Sequence, residues 1–169
     1  TSTVAGKWDP HQGVEVAGRT LAIVGFGRIG QMLCRKAALG LGMRVIATDP
    51  FADDATHALD DLLAEADVVS VHAAVTPDTV GLIDRDAIAR MREGAVFLNT
   101  ARAALHDLDA LTEAVVDGRL GGVALDRDAL DRIGVHRDVP HLAVRVVGEL
   151  ADARRVAEIE RPAAGRHRA

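Results

Sequence analysis

Three glycines, Gly25, Gly27 and Gly30, stand at the spacing G-x-G-x-x-G in the stretch Gly25-Phe26-Gly27-Arg28-Ile29-Gly30. The chemistry this spacing serves is capture of a pyrophosphate. The first glycine permits a tight turn, the second lets the backbone approach phosphate oxygens, and the third lets a helix pack closely on a strand. A helix opening at this loop presents unpaired N–H groups and a partial positive charge, and Arg28 and Ile29 are the residues that begin it. Arg28 also brings a cation. Asp49 lies 19 residues beyond Gly30, where a carboxylate can accept hydrogen bonds from the hydroxyls of an adenosine ribose and repel a 2′-phosphate. The combination points to NAD rather than NADP. Glycines that served only to turn the chain, with Asp49 as a turn residue, would imply no ligand; the register of strand, loop, helix, second strand and acid favours the dinucleotide.

The elements that must position these residues can be read from the hydropathy pattern. Short β-type runs alternate with amphipathic stretches, the signature of a parallel sheet flanked by helices. Strands are predicted over Thr20 to Val24, Arg44 to Thr48, Asp67 to Val71, Ala95 to Asn99 and Gly121 to Leu125. Helices are predicted over Ile29 to Leu41, Leu59 to Glu65, Asp84 to Arg92 and Asp107 to Val116. Asp49-Pro50 ends the second strand, because proline cannot donate to a ladder and holds the residue before it extended. The fold class is therefore α/β, a doubly wound parallel sheet of the dinucleotide-binding type.

The composition bounds the rest. The chain has 169 residues, 49% of them apolar, a net charge of −5 and one cysteine, Cys34. That is enough for one core and too little for two large domains. No basic excess marks a nucleic-acid binder, and the four aromatics, Trp8, Phe26, Phe51 and Phe97, are too few for a base-stacking surface. One cysteine excludes an intramolecular disulfide framework and a multi-cysteine metal site and fits a reducing compartment, so a cytoplasmic location is expected. No apolar run approaches the ~20 residues of a membrane span. Composition thus leads to no expectation of a nucleic-acid partner, a membrane or a metal.

With the glycine loop and Asp49 in place, the chain resembles the D-isomer-specific 2-hydroxyacid dehydrogenases over about Trp8 to Asp126. The resemblance rests on Val16-Ala17-Gly18-Arg19-Thr20-Leu21-Ala22-Ile23-Val24 leading into the glycine loop, Asp61-Leu62-Leu63, Ala66-Asp67-Val68-Val69-Ser70-Val71-His72, Thr76-Pro77-Asp78-Thr79, Met91-Arg92-Glu93-Gly94-Ala95, Asn99-Thr100-Ala101-Arg102 and Gly121-Gly122-Val123-Ala124-Leu125-Asp126. It implies the cofactor domain of such an enzyme, with the substrate domain largely absent, dimerising through cofactor domains. It also implies reversible hydride transfer between NAD(H) and a 2-hydroxy or 2-oxo acid. Arg102 matches the arginine that pairs with the substrate carboxylate, a task suited to its bidentate fork. Asp126 matches the acid that accepts from the nicotinamide carboxamide, and Ala73, Thr79, Thr100, Ala101 and Arg102 fall where the family lines the cofactor. His72, Arg102 and Asp126 each follow a predicted strand and so share the carboxyl edge of the sheet, where open α/β folds bind ligands. His72 is read as a packing or cofactor-side residue.

The resemblance also implies a proton-delivering histidine paired with an acid that raises its pKa. Asp131 and His141, in Pro140-His141, are the matching positions. The β-type run Leu142 to Val147 follows His141, so a parallel strand there would put that histidine at the amino edge, about 20 Å from the ligand crevice at ~3.3 Å per residue. After Asp126 the character changes: Arg127 to Ala169 holds nine arginines and no lysine. The expected organisation is a linker over 1–17, the cofactor domain over 18–150, diverging after 126, and a terminal helix with a basic tail over 151–169. Two other readings remain open: a non-catalytic, NAD-dependent interaction module of the corepressor kind, and a truncated or frame-altered remnant.

Overall fold

The computed structural model describes residues 14–55 and 57–125 and the backbone of 143–146. Its sheet has the order β2-β1-β3-β4-β5-β6, with β1 Thr20–Val24, β2 Arg44–Thr48, β3 Val68–Val71, β4 Val96–Asn99, β5 Gly122–Leu125 and β6 Ala143–Val146. Strands β1 to β5 are mutually parallel. Among the described residues the helices are α1 Arg28–Gly40, α2 Leu59–Glu65, α3 Arg85–Arg90 and α4 Leu108–Val116, with a 3₁₀ turn at Ala103–Leu105.

Both faces of the sheet are covered, which is why its central strands read as continuous apolar runs. Side chains alternate across a strand. On β1, Ala22 and Val24 join one core with Val69, Val71, Phe97 and side chains of α2, α3 and α4. Leu21 and Ile23 join the other with Ala37 of α1 and Met43. All five residues of β1 are buried. Asp84 and Asp107, read from sequence as the first helical residues, instead cap α3 and α4, each accepting a backbone N–H three residues on, at 2.8 and 2.9 Å. A carboxylate there satisfies a donor that the first turn leaves unpaired.

The chain winds from β1 outward to β2 and then crosses to β3 on the other side of β1. The switch point is therefore the crevice at the carboxyl ends of β1 and β3, where ligands of such sheets bind.

One expectation is corrected. The sixth strand is not parallel: β6 pairs antiparallel with β5, Ala143 opposite Leu125 and Val146 opposite Gly122. A parallel return needs a crossover, usually helical, and the sequence from 126 to 142 has no helical pattern. β6 instead starts beside the carboxyl end of β5, with Ala143 opposite Leu125, so the parallel pairing on which an amino-edge histidine depends is not formed. An antiparallel edge strand on a parallel sheet is common. Asp126, Asp131 and His141, and the terminal helix and basic tail expected over 151–169, lie outside the described residues.

Candidate functional site

The glycine loop leaves β1 at the switch point. Gly25 has φ +94°, and a Cβ there would lie 2.7 Å from both Ala73 Cα and the His72 carbonyl carbon, so the loops after β1 and β3 touch backbone to backbone. A Cβ on Gly30 would overlap the Gly25 carbonyl oxygen and lie 3.1 Å from Ile23 Cγ2, the close helix–strand approach expected of the third glycine. Gly27 differs from both. A Cβ there would meet nothing within 4 Å, which leaves open space in front of the turn.

Gly27 is the N-cap of α1, which has no side-chain cap and no acid in its first turn. Helices α2, α3 and α4 each carry Asp there. Gln31 N–H donates to Gly27 O at 3.0 Å, and the N–H groups ahead of it have no carbonyl one turn back. Arg28 and Ile29 are exposed beside them. An anion fits this site: among the described residues the donors are free, no acid competes, and the space in front is clear.

Asp49 closes one side. Its Oδ2 accepts from Phe26 N at 2.7 Å and its Oδ1 from Phe51 N at 2.9 Å. The carboxylate thus both turns its own chain and ties the end of β2 to the glycine loop, and each oxygen keeps a lone pair for a ribose hydroxyl. On the β3 side, Ala73 is half-buried against Gly25. Thr79 Oγ1 donates to Ala74 O at 2.7 Å and accepts from Thr76 N at 2.8 Å, which folds that loop back on itself.

His72 sits at the end of β3, its N–H donating to Val24 O at 2.7 Å and its Nε2 2.9 Å from Ser70 Oγ. Burial holds its pKa below the ordinary 6.5.

Thr100, Ala101 and Arg102 form the turn after β4. Thr100 and Arg102 are exposed, and Arg102 Nη1 donates to Ala101 O at 2.7 Å. The residue that shapes this turn is the last of β4, whose position in the sequence indicates only a strand end. Asn99, 2% exposed, accepts Ala101 N–H on Oδ1 at 2.9 Å and donates from Nδ2 to Arg102 O at 2.8 Å. His106, equally unassigned, is buried with its Nδ1 2.7 Å from Asn99 Nδ2. The available signal for Asn99 was its type: an asparagine at a strand end commonly bonds the backbone two residues on. Burial also lowers the pKa of His106, partly offset by the nearby Asp107.

Two histidines with lowered pKa give a pH signature. Unfolded, each takes a proton near 6.5; folded, each stays neutral to lower pH. Below 6.5 the unfolded chain then binds more protons, so stability is full above that value and falls as pH drops through the folded pKa values. Urea unfolding at pH 7.5, 6.5 and 5.5 is expected to show a decline that is larger over the lower interval than over the upper one; a midpoint independent of pH across the lower interval would contradict the assignment.

The residues from the glycine loop, β2, β3 and β4 thus share the carboxyl side of one sheet. Among the described residues no group of three or more His, Cys, Asp or Glu is placed to hold a metal ion, and no helix is long and apolar enough to cross a membrane.

The family model of the D-isomer specific 2-hydroxyacid dehydrogenase NAD-binding domain matches residues 1–129. The chain belongs to this family. The match extends slightly beyond the Trp8 to Asp126 span of the sequence resemblance. Within the dehydrogenase family, the chain is 42% identical over 128 residues to D-3-phosphoglycerate dehydrogenase of Mycobacterium tuberculosis, covering 71% of this chain and 24% of that protein. It is 39% identical over 128 residues to hydroxypyruvate reductase of Thermotoga maritima, covering 72% and 42%. The structure of NAD-dependent formate dehydrogenase from Staphylococcus aureus in complex with NAD superposes with a TM-score of 0.66 at 31% identity, covering 74% of this chain and 40% of that one. The chain therefore spans less than half the length of these relatives.

Proposed function

We propose that this NAD-binding domain serves hydride transfer between NAD(H) and a D-2-hydroxy or 2-oxo acid. The observation that carries the reading is the loop at the switch point: Gly25 and Gly30 are locked by backbone contacts while Gly27 faces open space at an uncapped helix N-terminus. In this reading the N–H groups opening α1 hold the pyrophosphate, with Arg28 and Ile29 beside it, and Asp49 takes the adenosine ribose. Ala73, Thr79, Thr100 and Ala101 line the remainder, and Asp126 accepts from the carboxamide. Bound nicotinamide supplies or accepts the hydride.

Arg102 is assigned the substrate carboxylate. Its exposed guanidinium leaves a turn fixed by Asn99, and two parallel N–H donors suit a planar carboxylate. His141 is assigned delivery of the proton to the 2-oxo oxygen, with Asp131 as its acid partner. The antiparallel entry of β6 at the carboxyl edge supports that assignment. The reading keeps the division into 1–17, 18–150 and 151–169, a cytoplasmic location and a homodimer. Met32 and Leu39, exposed along α1, support a covered face.

The test is NADH consumption with glyoxylate or hydroxypyruvate, alongside NADH affinity, for the parent and Arg102→Gln. Loss of a charged bidentate contact worth about 3 kcal/mol predicts at least roughly a hundredfold lower turnover efficiency, or loss of oxalate binding to the NADH-loaded chain. NADH affinity is expected to stay within about twofold, since among the described residues the guanidinium bonds its own turn, at Ala101 O, and its assigned contact is to the substrate carboxylate. Equal activity in the variant would overturn the role given to Arg102.

A further inference from the structure

We propose that His106 is a positioning residue for Arg102, acting through Asn99 as a neutral imidazole with its proton on Nε2. The proposal rests on the role given above to Arg102. The orientation of the Asn99 amide is fixed by its backbone partners, since Oδ1 must face the Ala101 N–H and Nδ2 must face the Arg102 carbonyl. One Nδ2 hydrogen is thereby committed to Arg102. The other points to a partner at 2.7 Å, which is His106 Nδ1. Two donors cannot share that distance, so Nδ1 accepts and the imidazole proton resides on Nε2.

His106 Nε2 is buried and has no hydrogen-bond partner among the described residues. An unmet buried donor is unfavourable, and an aliphatic side chain of similar size would avoid it. That change would leave a hydrogen of Asn99, itself 2% exposed, without an acceptor. The imidazole therefore exchanges one unmet donor at its far end for a complete set of bonds on Asn99. Its ring is held edge to face against Phe97, with centroids 5.8 Å apart and planes at 70°, and its backbone bridges to Ile83. From this anchored ring the chain of contacts runs to Asn99, then to the Arg102 carbonyl and the Ala101 amide, the backbone from which the guanidinium departs. Protonation would set an Nδ1–H against Asn99 Nδ2–H and break it. Burial, which disfavours the cation, works in the same direction.

Nitrogen-15 spectra of the imidazoles in the intact chain test the tautomer: the expected pattern is Nε2–H with an unprotonated, hydrogen-bonded Nδ1 at pH 7. Solvent exchange of the Ala101 amide is the second readout. His106→Val removes the acceptor and is expected to speed that exchange about tenfold, the worth of one hydrogen bond. His106→Asn places an oxygen where Nδ1 stood and is expected to restore the parent rate within about twofold. Oxalate affinity of the NADH-loaded chain is expected to follow the same order, with NADH affinity constant. An Nδ1–H tautomer, an imidazolium at pH 7, or exchange unaltered by His106→Val overturns the proposal. If His106→Val does not fold, the parent tautomer and the His106→Asn rates decide. Absence of oxalate binding in the parent contradicts the role of Arg102 while the tautomer and exchange rates still judge the hold of His106 on the turn.

Discussion

Gly27→Val is expected to lower NADH affinity at least about a hundredfold while moving the unfolding midpoint by no more than about 4 °C. The two effects separate because Gly27 has ordinary extended backbone angles, φ −69° and ψ −164°, and open space where a side chain would go. Folding therefore loses little beyond the difference between glycine and valine as an N-cap, about 1 kcal/mol, or some 2–4 °C in a chain of this size. The ligand is affected differently. Two isopropyl methyls would stand where phosphate oxygens must approach the N–H groups opening α1, and losing two charge-assisted bonds accounts for a hundredfold or more. Calorimetric titration with NADH and a thermal melt of the same sample check both halves. Retained affinity in a folded variant would show that the open space is not the phosphate site.

Gly25→Ala is expected to do the reverse, lowering the unfolding midpoint by roughly 10 °C. A non-glycine residue at φ +94° bears about 1–2 kcal/mol of strain. The added methyl also overlaps backbone atoms of His72 and Ala73, which cannot rotate aside as a side chain would. Together these exceed about 3 kcal/mol, and each kcal/mol lowers the midpoint by about 2–4 °C. A melt indistinguishable from the parent would mean that the loops after β1 and β3 are not in contact. The pair of variants thus divides the glycine motif by task, Gly25 for building the crevice and Gly27 for what enters it.

Most of this architecture is legible in the sequence because it is periodic or local. The limits of β1, β2 and α2 coincide with the sequence reading, since a turn or a proline brackets each apolar run. Asp84 and Asp107 shift from helix to cap for an equally local reason: the carboxylate is more useful bonding N–H groups than continuing the spiral. The direction of β6 is different. Period-two alternation is identical for a strand run either way, so Leu142 to Val147 announces a strand and not its orientation, which depends on the path between Leu125 and Ala143. The Asn99–His106 contact is hidden for a related reason. A strand end and a residue seven positions on meet only because the 3₁₀ turn Ala103–Leu105 folds the chain back, and such a turn leaves no repeat in the hydropathy. Asp49 lies between these cases. Its place after β2 is readable, but its bond to Phe26 N is a tertiary contact that only the assembled crevice shows.

The most direct test of the central claim, that the crevice beyond β1 and β3 is a working NAD site, is a calorimetric titration of the folded chain with NADH, repeated with NADPH and with Asp49→Ala. Saturable binding of NADH is predicted, weaker for NADPH, whose 2′-phosphate would face the Asp49 carboxylate. Binding should also weaken about tenfold in Asp49→Ala, through loss of one charge-assisted hydrogen bond to the ribose and of the tether on Phe26 N. A folded chain that binds neither dinucleotide would contradict the account at its root, and one that binds both equally, with Asp49→Ala unchanged, would remove Asp49 from the site.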